Sequence, residues 1–270
     1  MSPVIKWSAK PEGARRELGR RIRAILVCCA VAAWVTAADP AGAVVGQTAD
    51  ASGVAPLVVM VLNRSGKAAG FCSGVVLARR AVMTAAHCVP AGGDVRIHFR
   101  DDAGKPVLLP VDEVVRHPGY RADAVRSRQK SIDLALIRLP EDLPARFREA
   151  ELGTMSGAGL GTPFRVAGYG VGQEGNSASS GQLRIGAIEL QAPASNLLLW
   201  ARDPKGRGTG ACEGDSGGPV LAGTGDSVVA LTLWAAGTGP RRCGFLTQAL
   251  WLGPHRTWID GILHGWGIGG

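Results

Sequence analysis

The sequence predicts an all-β protein closed by a single C-terminal helix. Thirty-nine glycines are spread along the 270 residues, which favours a turn-rich chain. Short apolar runs recur at 57–62, 74–77, 95–99, 111–116, 134–139, 164–167, 183–190 and 228–234, with Gly, Pro, Asn and Asp between them. That rhythm is the signature of a sandwich or barrel. Helical spacing is convincing once, at 256–264, where Trp258, Ile259, Ile262 and Leu263 follow Pro254.

The N-terminal segment is of another kind. Residues 1–23 are basic, and residues 24–35 form an apolar run of twelve. A bilayer span needs about 20 residues, so the run fits the apolar region of a signal peptide. The small-x-small sequence Ala41-Gly42-Ala43 follows, and cutting after it makes Val44 the first residue. Thr36-Ala37-Ala38 is a second candidate site, and Arg15-Arg16 faintly resembles a twin-arginine export signal. Residues 1–43 are therefore read as the signal peptide, with or without a very short propeptide, against the alternatives of an uncleaved anchor or a buried helix. The expected protein is secreted, with no membrane attachment after cutting.

The net charge of +8 points less to nucleic acid than it first suggests. Residues 1–43 hold seven bases and three acids, leaving 23 bases and 19 acids for the rest. No basic block interleaved with aromatics occurs, so no nucleic-acid partner is expected. Export also gives the cysteines meaning. Cys28 and Cys29 leave with the signal peptide, and Cys72, Cys88, Cys212 and Cys243 remain. An even number points to two disulfides, with three pairings open. No CxxC pair or clustered His suggests a metal, and neither metal nor cofactor is expected.

Further along, 140–161 is the longest stretch without a clear strand and reads as an inter-domain linker. Residues 172–181 are polar and rich in Gly and Ser, as an exposed loop would be.

Three segments carry chemistry. In Thr84-Ala85-Ala86-His87-Cys88 a His stands beside a Cys, with Cys72 sixteen residues earlier. A bridge between the two would fix the turn that presents His87, with a loop-closure effect of roughly 3 kcal/mol. In Ser131-Ile132-Asp133-Leu134 an Asp opens an apolar strand. Burying a carboxylate is costly unless it is paired, and a His Nδ1–H would supply the partner. In Gly210-Ala211-Cys212-Glu213-Gly214-Asp215-Ser216-Gly217-Gly218-Pro219, glycines surround a Ser. They permit a tight turn that exposes Oγ and gathers backbone N–H groups. A phosphate-cradling loop is the rival reading, but neither GxxxxGK[ST] nor GxGxxG is present.

Together these segments strongly resemble the chymotrypsin/trypsin family of serine proteases, in the family's order and near its spacing. Val44-Val45-Gly46, His117-Pro118-Gly119-Tyr120, Val166-Ala167-Gly168-Tyr169-Gly170 and Thr257-Trp258-Ile259 add to the match. The resemblance implies two antiparallel Greek-key β-barrels with the active site between them and a C-terminal helix. Residues 44–155 would form the barrel carrying His and Asp, and 156–270 the barrel carrying Ser plus the helix. It implies Ser216 as nucleophile, His87 as general base and acid, and Asp133 orienting His87. The N–H groups of Gly214 and Ser216 would form the oxyanion hole. Cys72–Cys88 and Cys212–Cys243 would be the disulfides. Leu233, Trp234 and Ala235 would pair with the substrate backbone. A freed Val44 ammonium would pair with Asp215, with signal cleavage itself giving active enzyme. Bridges common in animal members are missing, which points to a small bacterial-type member.

Gly210, Ala211, Ala235 and Gly244 are expected to line the specificity pocket. No Asp stands at its base, so an uncharged P1 residue, apolar or aromatic, is expected over Arg or Lys. Arg241 and Arg242 argue for an acidic residue there, and Glu213 against acidic residues nearby. The expected partners are a polypeptide substrate and a protein inhibitor, with the enzyme a monomer. The rival functions are a catalytically silent binding module on the same fold and a secreted esterase.

Overall fold

The computed structural model describes residues 44–127, 129–155 and 157–268. The expected signal peptide at 1–43, with both cutting sites and the leader cysteines, lies outside the described residues. In chain order the strands are β1 (Thr48–Ala49), β2 (Val58–Ser65), β3 (Ala68–Ala78), β4 (Ala81–Thr84), β5 (Asp94–Arg100), β6 (Pro106–Pro110), β7 (Glu113–Arg116) and β8 (Ala135–Arg138). There follow β9 (Pro163–Gly168), β10 (Arg184–Leu190), β11 (Leu198–Arg202), β12 (Pro219–Ala222), β13 (Val228–Ala236) and β14 (Leu246–Trp251). A single turn of helix, α1 (Ala124–Ser127), and a terminal helix, α2 (Arg256–Gly265), complete the set.

Two antiparallel sheets result. The first has the order β6-β5-β2-β3-β4-β8-β7 and is a half-barrel. Its β2, β3 and β4 are consecutive and β5 returns beside β2, which is the Greek-key order. The second runs β1-β10-β11-β14-β13-β12-β9, and β9 also pairs with β10, so six strands close on themselves. Closure leaves no edge to satisfy. The all-β expectation thus holds, with one barrel closed and the other partial.

The apolar runs explain where these strands lie. In β2 the first four residues, Val58 to Val61, are buried, and the polar end Asn63-Arg64-Ser65 emerges toward solvent. In β13 Val228 to Leu233 are buried and Trp234 comes out. Strand β6 was not among the apolar runs, because Pro106 and Pro110 bound it. It lies at a sheet edge, where proline is tolerated. The stretch 140–161 has no strand, as expected, yet it is tightly held. Leu143 N donates to Arg79 O at 2.7 Å, Ala150 N to Val76 O at 2.8 Å and Gly153 N to Val228 O at 3.0 Å. It is stitched to both sheets and cannot swing as a free linker. Helix α2 buries Ile259 and sets Trp258 against the His117 ring at 4.8 Å.

Candidate active site

Strand β4 delivers the chain into a 3-10 turn, Ala86–Cys88, that carries His87. Cys88 is bonded to Cys72 of β3, so the turn is tied to the strand behind it. Asp133 lies just before β8, whose pairing with β4 brings it beside the turn. Its Oδ1 accepts the His87 backbone N–H at 2.9 Å, and its Oδ2 lies 2.6 Å from His87 Nδ1. One carboxylate therefore fixes both the main chain and the ring. A carboxylate on Nδ1 selects the tautomer with its proton there, which leaves Nε2 as an acceptor facing the cleft.

Ser216 comes from the second sheet. The turn before β12 uses Gly214 at φ 93° and Gly217 at φ 81°. A Cβ on Gly217 would lie 2.2 Å from Ser73 O and from Thr84 Oγ1, so only glycine fits. The turn is bound to β3 of the first sheet: Ser73 N donates to Ser216 O at 2.8 Å, and Ser73 Oγ to Gly214 O at 3.0 Å. The N–H groups of Gly214 and Ser216 have no partner among the described residues. The Ser216 hydroxyl donates to Leu233 O at 3.0 Å. No hydrogen bond joins it to His87 among the described residues. The disulfide Cys212–Cys243 anchors the chain just upstream.

Asp215 is fully buried. Its carboxylate accepts N–H groups from Gly170 and Cys212, each at 2.8 Å, and from Val44. Burial pushes its pKa up to about 7; the three N–H bonds and the charge of Arg184 pull the other way. A Cβ on Gly168 or Gly170 would lie 2.3 or 2.6 Å from this carboxylate, so both glycines make its space. Val44 is buried, and Val45 pairs with Gly210 through bonds of 3.1 and 3.2 Å. Val44 sits at φ 52°, a region that β-branched residues avoid.

His87, Asp133 and Ser216 line one cleft of about 1090 Å³. Leu233, Trp234, Ala235, Arg242 and Cys243 form part of its wall. Of the residues expected in the specificity pocket, only Ala235 reaches this surface. Gly210, Ala211 and Gly244 are buried, and a Cβ on Gly210 would meet Thr247 Oγ1 at 3.0 Å and Gly244 Cα at 3.3 Å. Thr247 fills that space, and its hydroxyl accepts the Ala211 N–H at 2.9 Å. The charged expectation is divided. Arg242, Arg121 and Lys130 line the cleft, but so do Glu174 and Glu213, and Glu174 is engaged by the Arg242 N–H. The sulfurs of Cys72 and Cys88 lie near His87, but in a disulfide they offer no thiolate to a metal.

A family model described as Trypsin matches residues 44–251. The chain belongs to the trypsin family. Among its relatives, brachyurin of Leptuca pugilator is 27% identical over 163 residues, covering 56% of this chain and 70% of that protein. Trypsin delta of Drosophila erecta is 28% identical over 214 residues, covering 73% of this chain and 79% of that protein. Neuropsin, a serine protease expressed in mouse brain, superposes with a TM-score of 0.59 at 21% identity, covering 76% of this chain and 93% of that one. The scabies mite inactivated protease paralogue S-I1 superposes at 0.63 and 22%, covering 82% and 99%. The protein is a serine endopeptidase, and polypeptides are its substrates. Its relatives come from crab, insects and bird, so the expected bacterial-type character gains no support from them.

Sequence reasoning singled out neither Arg184 nor Thr247. An arginine within an apolar strand, Leu183-Arg184-Ile185, was the available signal for the first. Thr247 had none, because only the β13–β14 register brings it opposite Ala235.

Proposed function

We propose that this endopeptidase is secreted and cuts peptide bonds through an acyl-enzyme on Ser216. His87 takes the Ser216 proton as Oγ attacks the scissile carbonyl and returns it to the leaving amine. Asp133 holds the imidazole and stabilises its cation. The N–H groups of Gly214 and Ser216 receive the oxyanion, and the end of β13 at Leu233–Ala235 pairs with the substrate backbone. The observation that carries this reading is the pair of hydrogen bonds that the Asp133 carboxylate accepts from His87, beside a serine turn with two N–H groups unused among the described residues. The two disulfides support an oxidising, extracellular location.

The preferred P1 residue is uncharged. Ala235 is small, Thr247 fills the space beside Gly210, and position 210 itself carries no acid to receive Arg or Lys. The disulfide complement alone supports a bacterial-type member. Residues 44–155 and 156–270 serve as the two halves of the catalytic unit, and a monomer suffices because both halves come from one chain.

The test is intact-mass spectrometry of the secreted protein with and without a serine-directed fluorophosphonate, beside Ser216→Ala. One adduct, absent in the variant, is expected; a folded chain without an adduct would defeat the reading. A peptide panel then separates P1 classes, and cleavage after Arg but not after Ala, Leu or Phe would overturn the uncharged preference.

A further inference from the structure

One face of β10 covers the space under the serine turn. The β9–β10 ladder places Arg184 opposite Gly168 and Gly186 opposite Val166. Residues two apart on a strand share a face, as do directly opposed residues. On that face a Cβ built on Gly168 would lie 2.3 Å from Asp215 Oδ1, and one built on Gly186 would lie 2.9 Å from Val44 Cγ1. Arg184 therefore projects from the face that covers both Asp215 and the start of the catalytic unit. It is 5% exposed, and its Nη2 donates to Gln182 Oε1 at 2.7 Å. A guanidinium is rarely buried without a counter-charge. The fully buried Asp215 carboxylate lies under this same face: burial pulls the Arg184 pKa down and the Asp215 charge opposes that, while burial pushes Asp215 up and the Arg184 charge opposes that.

We propose that Arg184 is a built-in counter-cation for Asp215, which holds the Gly214–Gly217 turn in working geometry before the chain is cut ahead of Val44. Arg184 is thus a positioning residue, acting on the oxyanion N–H groups through Asp215. The consequence is basal activity in chains that retain residues before Val44, including any cut at the alternative site after Ala38. This rests on the Ser216 reading above. Among the described residues, Asp215 accepts N–H groups from Val44, Gly170 and Cys212, and Arg184 is the charged side chain that acts on it.

The test exports the full chain as wild type and as Ala43→Pro, which blocks cutting ahead of Val44. Intact mass reads each N-terminus, and the fluorophosphonate labelling rate reads the turn. The Ala43→Pro chain is expected to label about 10–100-fold more slowly than the chain beginning at Val44, since only part of it is competent. Adding Arg184→Met should slow it about tenfold further, while the chain beginning at Val44 loses less than about threefold because its ammonium replaces the lost charge. Arg184→Lys should restore most of the rate. Arg184→Met should also move the pH at which the uncut chain gains reactivity upward, as a carboxylate without its cation titrates higher. A purely structural arginine would slow both chains equally at every pH, which would overturn the proposal. So would a Val44 chain that labels while the uncut chain does not, a comparison that needs no Arg184 variant to fold. If no form labels, the Ser216 reading itself fails.

Discussion

The two turns that form the cleft solve the same problem in different ways. Each is anchored by a disulfide, Cys72–Cys88 for His87 and Cys212–Cys243 for Ser216, and each is steadied by an aspartate. Asp133 is partly exposed, with 18% of its side chain accessible, and meets its histidine directly. Asp215 is fully buried and meets backbone N–H groups. The first arrangement is complete within its own sheet. The second rests on a carboxylate that water cannot reach. The histidine side is thus tied down within one sheet, and the serine side is where the proposed activation would act.

The largest predicted effect separates the chemistry from the fold. Asp133→Asn should lower kcat by about 10⁴-fold, because the imidazole is then held in the wrong tautomer. Circular dichroism and the melting temperature should stay close to wild type. A loss below tenfold would show that Asp133 does not orient His87.

Next comes the backbone of the serine turn. Gly217→Ala places a methyl 2.2 Å from Ser73 O at φ 81°, whereas Gly92→Ala has φ 68° and open space around it. Overpacking adds to the backbone penalty in the first and is absent in the second. Urea unfolding should show a loss on the order of 3 kcal/mol for Gly217→Ala and about 1 kcal/mol for Gly92→Ala. Equal losses would mean that the turn is not wedged against β3.

These contrasts also mark what the sequence could convey. His87, Asp133 and Ser216 are recognisable because each sits in a local pattern of neighbours, as do the cysteines that anchor them. Most apolar runs became strands for the same reason. Arg184 and Thr247 have no such local pattern. What matters about them is which residue the ladder sets opposite, Gly168 for one and Ala235 for the other, and register is a property of two segments at once. The same holds beside the expected pocket residue Gly210, where the Thr247 hydroxyl lies in the space a side chain would take.

The buried charge predicts a pH dependence that the exposed one does not. Asp215 in the uncut chain is raised to about 7 from 3.8. Between those values the folded chain holds a proton that the unfolded chain releases, so stability falls as pH rises and levels off above about 7. Cutting ahead of Val44 supplies an ammonium of pKa near about 8 and removes the carbonyl that makes φ 52° unfavourable. The melting temperature gained on cutting should therefore grow from pH 5 to pH 7, as a thermal-shift series can read. A gain that stays constant across this range would mean that the new terminus does not pair with Asp215.

The smallest effect comes from the same side chain placed in water. Asp94 on β5 faces Arg96 at 2.9 Å and Arg64 at 3.8 Å, and all three side chains are more than 40% exposed. Solvent screens such pairs, and Asp94→Asn should cost no more than about 0.5 kcal/mol in urea unfolding, declining with added salt. A larger, salt-insensitive loss would mean that this edge of the first sheet also leans on a charge. The contrast between a sheet held by apolar packing and a turn governed by a buried carboxylate would then be one of degree.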